Sequence, residues 1–159
     1  MRLRAVTTTA LAAALLLGTA GCGVLLEPAT LKSYSPSDGI NADVGDVSVR
    51  NALVVANDAG DGAIVMTLIN PGDSLVFVTV ELRGEVNLSA SVGAYPGINK
   101  VGIADGNPLV FPNAGLVAGS YSDVYFQYGN NEGVLITVPV LDDADSVYAP
   151  YAPPSSETE

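Results

Sequence analysis

Between residues 46 and 140 the apolar side chains fall in short runs, alternating with polar ones or continuous over a few positions, and each run ends at Gly, Pro, Asn or Asp. Alternation with a period of two sends every second side chain to the same face of an extended strand. The pattern therefore predicts strands near 46–56, 63–70, 74–82, 85–92, 98–103, 121–128 and 133–140. Val76, Val78, Val80 and Leu82 share one face, as do Val86, Leu88, Ala90 and Val92, and as do Val134, Ile136, Val138 and Val140. These three stripes are expected to face a common core. Residues 63–69 are apolar on both faces apart from Thr67, which predicts a central strand covered from two sides with Met66 buried inside it. Twenty valines after residue 21 favour strand, because a β-branched side chain is stiff at χ1 and packs well on a pleated surface. The connections Asn57–Gly62 and Asn70–Asp73 carry the residues of tight turns, and no stretch after residue 21 shows a helical stripe. The expected fold is all-β, an antiparallel sandwich of about seven strands.

The ends of the chain have a different texture. Arg2 and Arg4 precede an uncharged apolar stretch, Ala5 to Leu17, which is too short for a stable membrane span and is followed at once by small residues. Residues 1–21 thus read as a secretion signal, with the only Cys, Cys22, directly after it. Thr19-Ala20-Gly21-Cys22 resembles a bacterial lipobox, which implies diacylglyceryl modification of the Cys22 thiol and an acylated N-terminus. An ordinary signal peptide cut near Ala20 is the other reading. It leaves a lone exposed thiol in an oxidising compartment. Residues 22–42, rich in Ser, Pro and Gly, read as a lipidated tether ending in the turn Ser35–Gly39; residues 149–159, with three prolines and no periodicity, read as a flexible tail. The folded domain is expected over 43–148.

Charge then removes several functions. Four basic residues (Lys32, Arg50, Arg83, Lys100) stand against all seventeen acidic ones once residues 1–21 are removed, a net charge of −13. Such a surface repels phosphate, which argues against nucleic acid as a partner and against polybasic docking on lipid. With no His and one Cys, triads, Cys-His dyads and the usual zinc and haem ligand sets have no residues to build them.

The runs 62–70, 73–80, 119–128 and 133–140 and the loop Gly106–Pro112 resemble the periplasmic copper chaperone family, and more closely its actinobacterial lipoprotein offshoot. The resemblance implies an immunoglobulin- or cupredoxin-like sandwich and a partner in the respiratory chain, since copper-binding members serve cytochrome oxidase assembly and lipoproteins of the offshoot include peripheral subunits of a respiratory supercomplex. It does not carry copper across. Members that bind it use His and Met ligands, whereas this chain has Leu109-Val110-Phe111-Pro112-Asn113 where the later ligands fall, and carboxylates do not replace soft donors.

Other candidate chemistry reads blandly. Asp142-Asp143-Ala144-Asp145 and the pair Asp58 and Asp61 lack the spaced oxygen ligands of a calcium loop and are expected to be solvated turns, so no metal or cofactor is assigned. Nothing places two carboxylates across a cleft for glycoside hydrolysis, and no catalytic residue is assigned. Tyr121 and Tyr125 share the odd, outer face of their strand, opposite Val124, Phe126 and Tyr128, and are candidate protein contacts. The resulting expectation is a non-enzymatic module, held on the outer face of the bacterial cytoplasmic membrane by its lipid and contacting an integral membrane complex. A small-molecule or cation binding lipoprotein, with its ligand in the loops at one end, is the second reading. Mass spectrometry of the mature N-terminal peptide is expected to find a diacylglyceryl group on Cys22, lost in Cys22→Ser; a chain starting elsewhere with a free thiol contradicts this.

Overall fold

The computed structural model describes residues 36–154 apart from 86, 143, 145 and 146. The expected signal 1–21, Cys22 and the tether as far as residue 35 lie outside the described residues, as does Val86 of the second stripe. Among the described residues the fold is all-β, with nine strands: β1 Ile40–Val44, β2 Val47–Ala56, β3 Gly62–Asn70, β4 Val76–Arg83, β5 Leu88–Ala94, β6 Gly97–Val101, β7 Val110–Phe111, β8 Tyr121–Tyr128 and β9 Val134–Asp142. They hydrogen-bond in the order β5-β4-β8-β9-β2-β3-β6, with β1 added to β2 and β7 to β3.

All seven expected strands form, within a few residues of their expected ends. Two more were not expected. β1 lies at the end of the stretch assigned to the tether, where Ile40, Ala42 and Val44 alternate over only five residues; β7 is two residues inside the loop 106–112, too short to show a period. The purely antiparallel expectation is corrected as well. β1 covers one edge of β2 as far as Ala52, which leaves residues 54–56 of that edge open, and β9 pairs there in parallel, Val54 with Val140 and Ala56 with Asp142. The other pairings are antiparallel.

The three stripes meet in one core. Val78, Val80, Leu82, Val92, Val138 and Val140 pack with Ile64, Met66, Leu68, Val124 and Phe126, and Met66 is buried as expected. β2 contributes by an irregular route. Val47 and Val49 point into this core, and then so do Ala52, Val54 and Ala56, so the alternation changes from odd to even positions. A bulge causes the change: between Arg50 and Leu53 β2 advances three residues while its partner advances two, and Asn51 takes φ 53°, a conformation Asn tolerates better than most residues. The strand bends there, and Arg50 ties β1 across it, its Nη1 donating to the Ala42 and Val49 carbonyls at 2.8 and 2.9 Å while Nη2 pairs with Asp43 at 2.8 Å. Hydrogen bonds from Ser48 and then Arg50 hold the Asp43 carboxyl below its ordinary range.

After the bulge, Leu53 and Val55 point away from the main core, beside Val65 of β3, yet all three are buried. Their cover is the stretch expected to be a flexible tail. Tyr148, Tyr151 and Ala152, around a single 3-10 turn at Ala149–Tyr151, pack on these side chains with Leu141. Asn57 Nδ2 donates to the Pro153 and Pro154 carbonyls at 3.4 Å each, and the Tyr148 hydroxyl donates to Asp38, just ahead of β1. The flexible-tail expectation is therefore corrected for residues 149–154; 155–159 lie outside the described residues. Three prolines and the lack of periodicity pointed to flexibility, but burying Leu53 and Val55 is worth roughly 1.5–3 kcal/mol per side chain, and that favours docking. Gly102 makes room for the cover: a Cβ there would come within 2.7 Å of the Tyr151 ring.

Burial first, and then the charge and hydrogen bond of Asp105, push the Tyr151 phenol above its ordinary value of 10.0. The folded state thus holds this proton more tightly than the unfolded chain, so the associated stability is complete below pH about 10 and is lost as pH rises through the folded value. Tyr151→Ala is expected to lower urea stability at neutral pH by about 1–3 kcal/mol through lost packing. Tyr151→Phe is expected to retain most of that packing and to lose less stability than the native chain above pH about 10. Unchanged denaturation midpoints for Tyr151→Ala would show that the segment does not cover the sheet.

Candidate functional site

The segment 148–154 occupies the outer side of β2 and β3. The outer side of β4, β5, β8 and β9 carries no such cover among the described residues. Registers place its side chains in rows across the strands: Ser89, Glu81, Tyr125 and Leu135 in one, Ser91, Thr79 and Gln127 in the next, and Gly93 with Phe77 beyond. On the other side of the Tyr125 row lie Arg83, Asp123 and Thr137, then Tyr121 beside Pro139. The two ends of the face are apolar and exposed, Phe77 at 63% and Tyr121 at 72%, with Leu135 at 48% between them.

Its middle is held in place by neighbours. The Arg83 guanidinium lies 4.6 Å from the centre of the Tyr125 ring, and its Nε donates to Glu81 Oε1 at 3.0 Å. The ring in turn lies against Gly133, where a Cβ would collide with its hydroxyl. Thr137 Oγ1 donates to Asp123 Oδ1 at 2.6 Å, and the Thr79 and Ser91 hydroxyls share a hydrogen bond at 3.3 Å. Each of these contacts is individually weak at an exposed site, about 0.5–1 kcal/mol for the cation–π pair. Together they limit the rotamers of Tyr125 and Arg83. A side chain fixed before binding loses less entropy on binding.

Tyr121 is fully outward as expected, whereas Tyr125 is only half-buried, lying along the sheet under Arg83. Sequence reasoning missed Arg83, Glu81, Phe77 and Leu135. Their signal was available, since odd positions of β4 and β9 oppose the apolar stripes already read on the even ones.

Beside the Tyr121 end opens a cleft of about 480 Å³ between the end of β4, the loop 113–117 and the start of β8. Its loop wall is fixed from below. Asp61, 3% exposed, accepts the Asn113 N–H at 2.7 Å and the Asn57 side-chain amide at 3.1 Å, while Asn57 Oδ1 accepts the N–H groups of Ala59 and Asp61 at 3.0 Å each. Leu116 N–H donates to the Gly60 carbonyl at 3.2 Å. The expectation of a solvated turn holds for Asp58, which is exposed, and is corrected for Asp61, whose carboxylate joins two loops. Of the acidic run, Asp142 ends β9 on the surface, and Asp143 and Asp145 lie outside the described residues. Among the described residues no three His, Cys, Asp or Glu side chains stand where they could share a metal ion, and no helix is long and apolar enough to cross a membrane.

No protein-family model matches the chain, and no curated protein matches it.

Removing a buried, charged acceptor leaves its donors unpaired at about 1.5–3 kcal/mol. Asp61→Ala is expected to cost about 2–3 kcal/mol in denaturant melts and to raise hydrogen exchange at Asn113 and Leu116 first. A variant as stable as the native chain, with these amides still protected, would mean that Asp61 does not pin the cleft wall.

Proposed function

We propose that this chain is a lipid-anchored extracytoplasmic module with no catalytic role, which docks on an integral membrane assembly through the outer face of β4, β5, β8 and β9. The observation that carries the reading is the make-up of that face: exposed aromatic side chains at its ends and a fixed Tyr125–Arg83–Glu81 group between them. Tyr and Arg with little freedom left to lose are the residues that most often dominate protein interfaces. We read the strand order as a sandwich whose two sides join along β9 and β2, as the resemblance to the copper chaperone family implies. The resemblance to its lipoprotein offshoot makes the respiratory chain the favoured setting, and Cys22 supplies the anchor.

Magnitudes support a weak contact reinforced by confinement. Four strands about 4.8 Å apart and six residues of rise give a face of roughly 15 by 20 Å, or about 300 Å². That is below the roughly 800 Å² each partner buries in a stable interface. A lipid anchor on a tether raises the effective concentration toward a membrane complex and compensates for small area. The net charge, −13 once residues 1–21 are removed, steers encounter toward a basic surface.

The test is co-purification from gently solubilised membranes. The native chain is expected to elute with an integral membrane assembly at low salt and to lose it at moderate salt. Tyr125→Ala and Arg83→Ala are each expected to weaken retention by about tenfold, or 1.4 kcal/mol, and Tyr121→Ala to add to either. Recovery only as a free monomer at low salt would contradict the proposal.

A further inference from the structure

The cleft at the Tyr121 end has a chemistry that the docking face alone does not explain. Its lining includes exposed Val117 and the exposed Tyr121 ring, Leu82 and Leu116, which pack with the main core, and the carboxylates of Glu85 and Asp123. Glu85 makes no ion pair among the described residues, and Thr137 engages only one oxygen of Asp123. Arg83 is the one basic residue in the lining. Its guanidinium lies over Tyr125 and bonds to Glu81, which is outside the cleft. The cleft is therefore a recess of mixed polar and apolar lining, with carboxylates not paired to a cation and an exposed aromatic ring, on a chain that carries −13 once residues 1–21 are removed.

We infer that this cleft is a socket for a basic side chain, Lys or Arg, of the docked partner. Such a side chain has an apolar stem ending in a cation, so its stem suits exposed Val117 and Tyr121 while its head reaches the carboxylates. A cation beside an exposed Tyr ring gains further from the ring face. An anionic ligand would meet Glu85 and Asp123, and a purely apolar one would strip water from both without replacing it. The volume of about 480 Å³ leaves room for the side chain with some of its water. Tyr121 and Asp123 belong to both cleft and face, so one partner surface can occupy the two together. The inference rests on the proposed docking function and names the chemistry of the partner: a protein surface with a projecting basic residue.

The test is an NMR titration of the full chain in detergent micelles with N-acetylarginine amide, against its neutral isostere N-acetylcitrulline amide and the free polyamine spermidine. The arginine compound is expected to shift the amides of Glu85, Tyr121 and Asp123 at millimolar concentration, and citrulline to bind about tenfold more weakly. Glu85→Gln with Asp123→Asn, both conservative on an exposed rim, is expected to remove the preference while the rest of the spectrum is unchanged. Equal binding of citrulline, stronger binding of spermidine, or shifts confined to other parts of the chain would overturn the socket. If the arginine compound fails while Tyr125→Ala still lowers co-purification, the socket falls and the docking face stands. If neither responds, both fall.

Discussion

The burial of Leu53, Val55 and Val65 on the outer side of β2 and β3 is the interaction on which the rest of the arrangement depends. The bulge at Asn51 makes it necessary, because one extra residue turns the second half of β2 over and presents apolar side chains to both faces. A surface of that kind left in water would be an aggregation hazard. The C-terminal segment covers it, anchored by Tyr148 on Asp38, Tyr151 against Gly102 and Asn57 on the last described carbonyls. With Leu53, Val55 and Val65 covered from within the chain while Ile98 of β6 stays exposed, the outer side of β4, β5, β8 and β9 is the sheet surface proposed for contact.

The same region sets the cleft. The Asn57–Asp61 turn connects β2 to β3, holds the C-terminal segment through the Asn57 amide, and holds the loop 113–117 through the Asp61 carboxylate. One buried pair of polar side chains thus couples the cover on one face to the cleft wall beside the other. This coupling is structural: both attachments require the turn in its folded form, so loss of either partner loosens two surfaces at once.

Much of the fold was legible in the sequence, because even-numbered valines on β4 and β9 and the doubly apolar run in β3 leave few alternatives for extended chain. What escaped has physical reasons. β1 hid behind Ser, Pro and Gly residues that read as tether, β7 is shorter than any period, and the parallel pairing of β9 depends on which edge of β2 remains free. The parity change inside β2, odd at Val47 and Val49 and even at Ala52, Val54 and Ala56, left no mark in the sequence, because residues 52–56 are all apolar and carry no alternation. Tyr121 was placed correctly by alternation. The fixed state of Tyr125 was not, since it arises from Arg83, 42 positions earlier in the chain, and from the absence of a side chain at Gly133. The burial of Asp61 likewise depends on the Asn113 N–H, which no local pattern connects to it.

The central claim is that the outer face of β4, β5, β8 and β9 serves for docking while Leu53, Val55 and Val65 on the other side are covered by the chain itself. Site-specific photocrosslinking in native membranes tests it most directly, with the crosslinker placed in turn at Ser91, Thr79, Gln127 and Leu135 on the open face and at Ile98 and Val110 on the strands of the other side. The account predicts adducts with an integral membrane protein from the first four positions and none from the last two. Adducts from Ile98 or Val110, with none from the β4–β5–β8–β9 face, would contradict it.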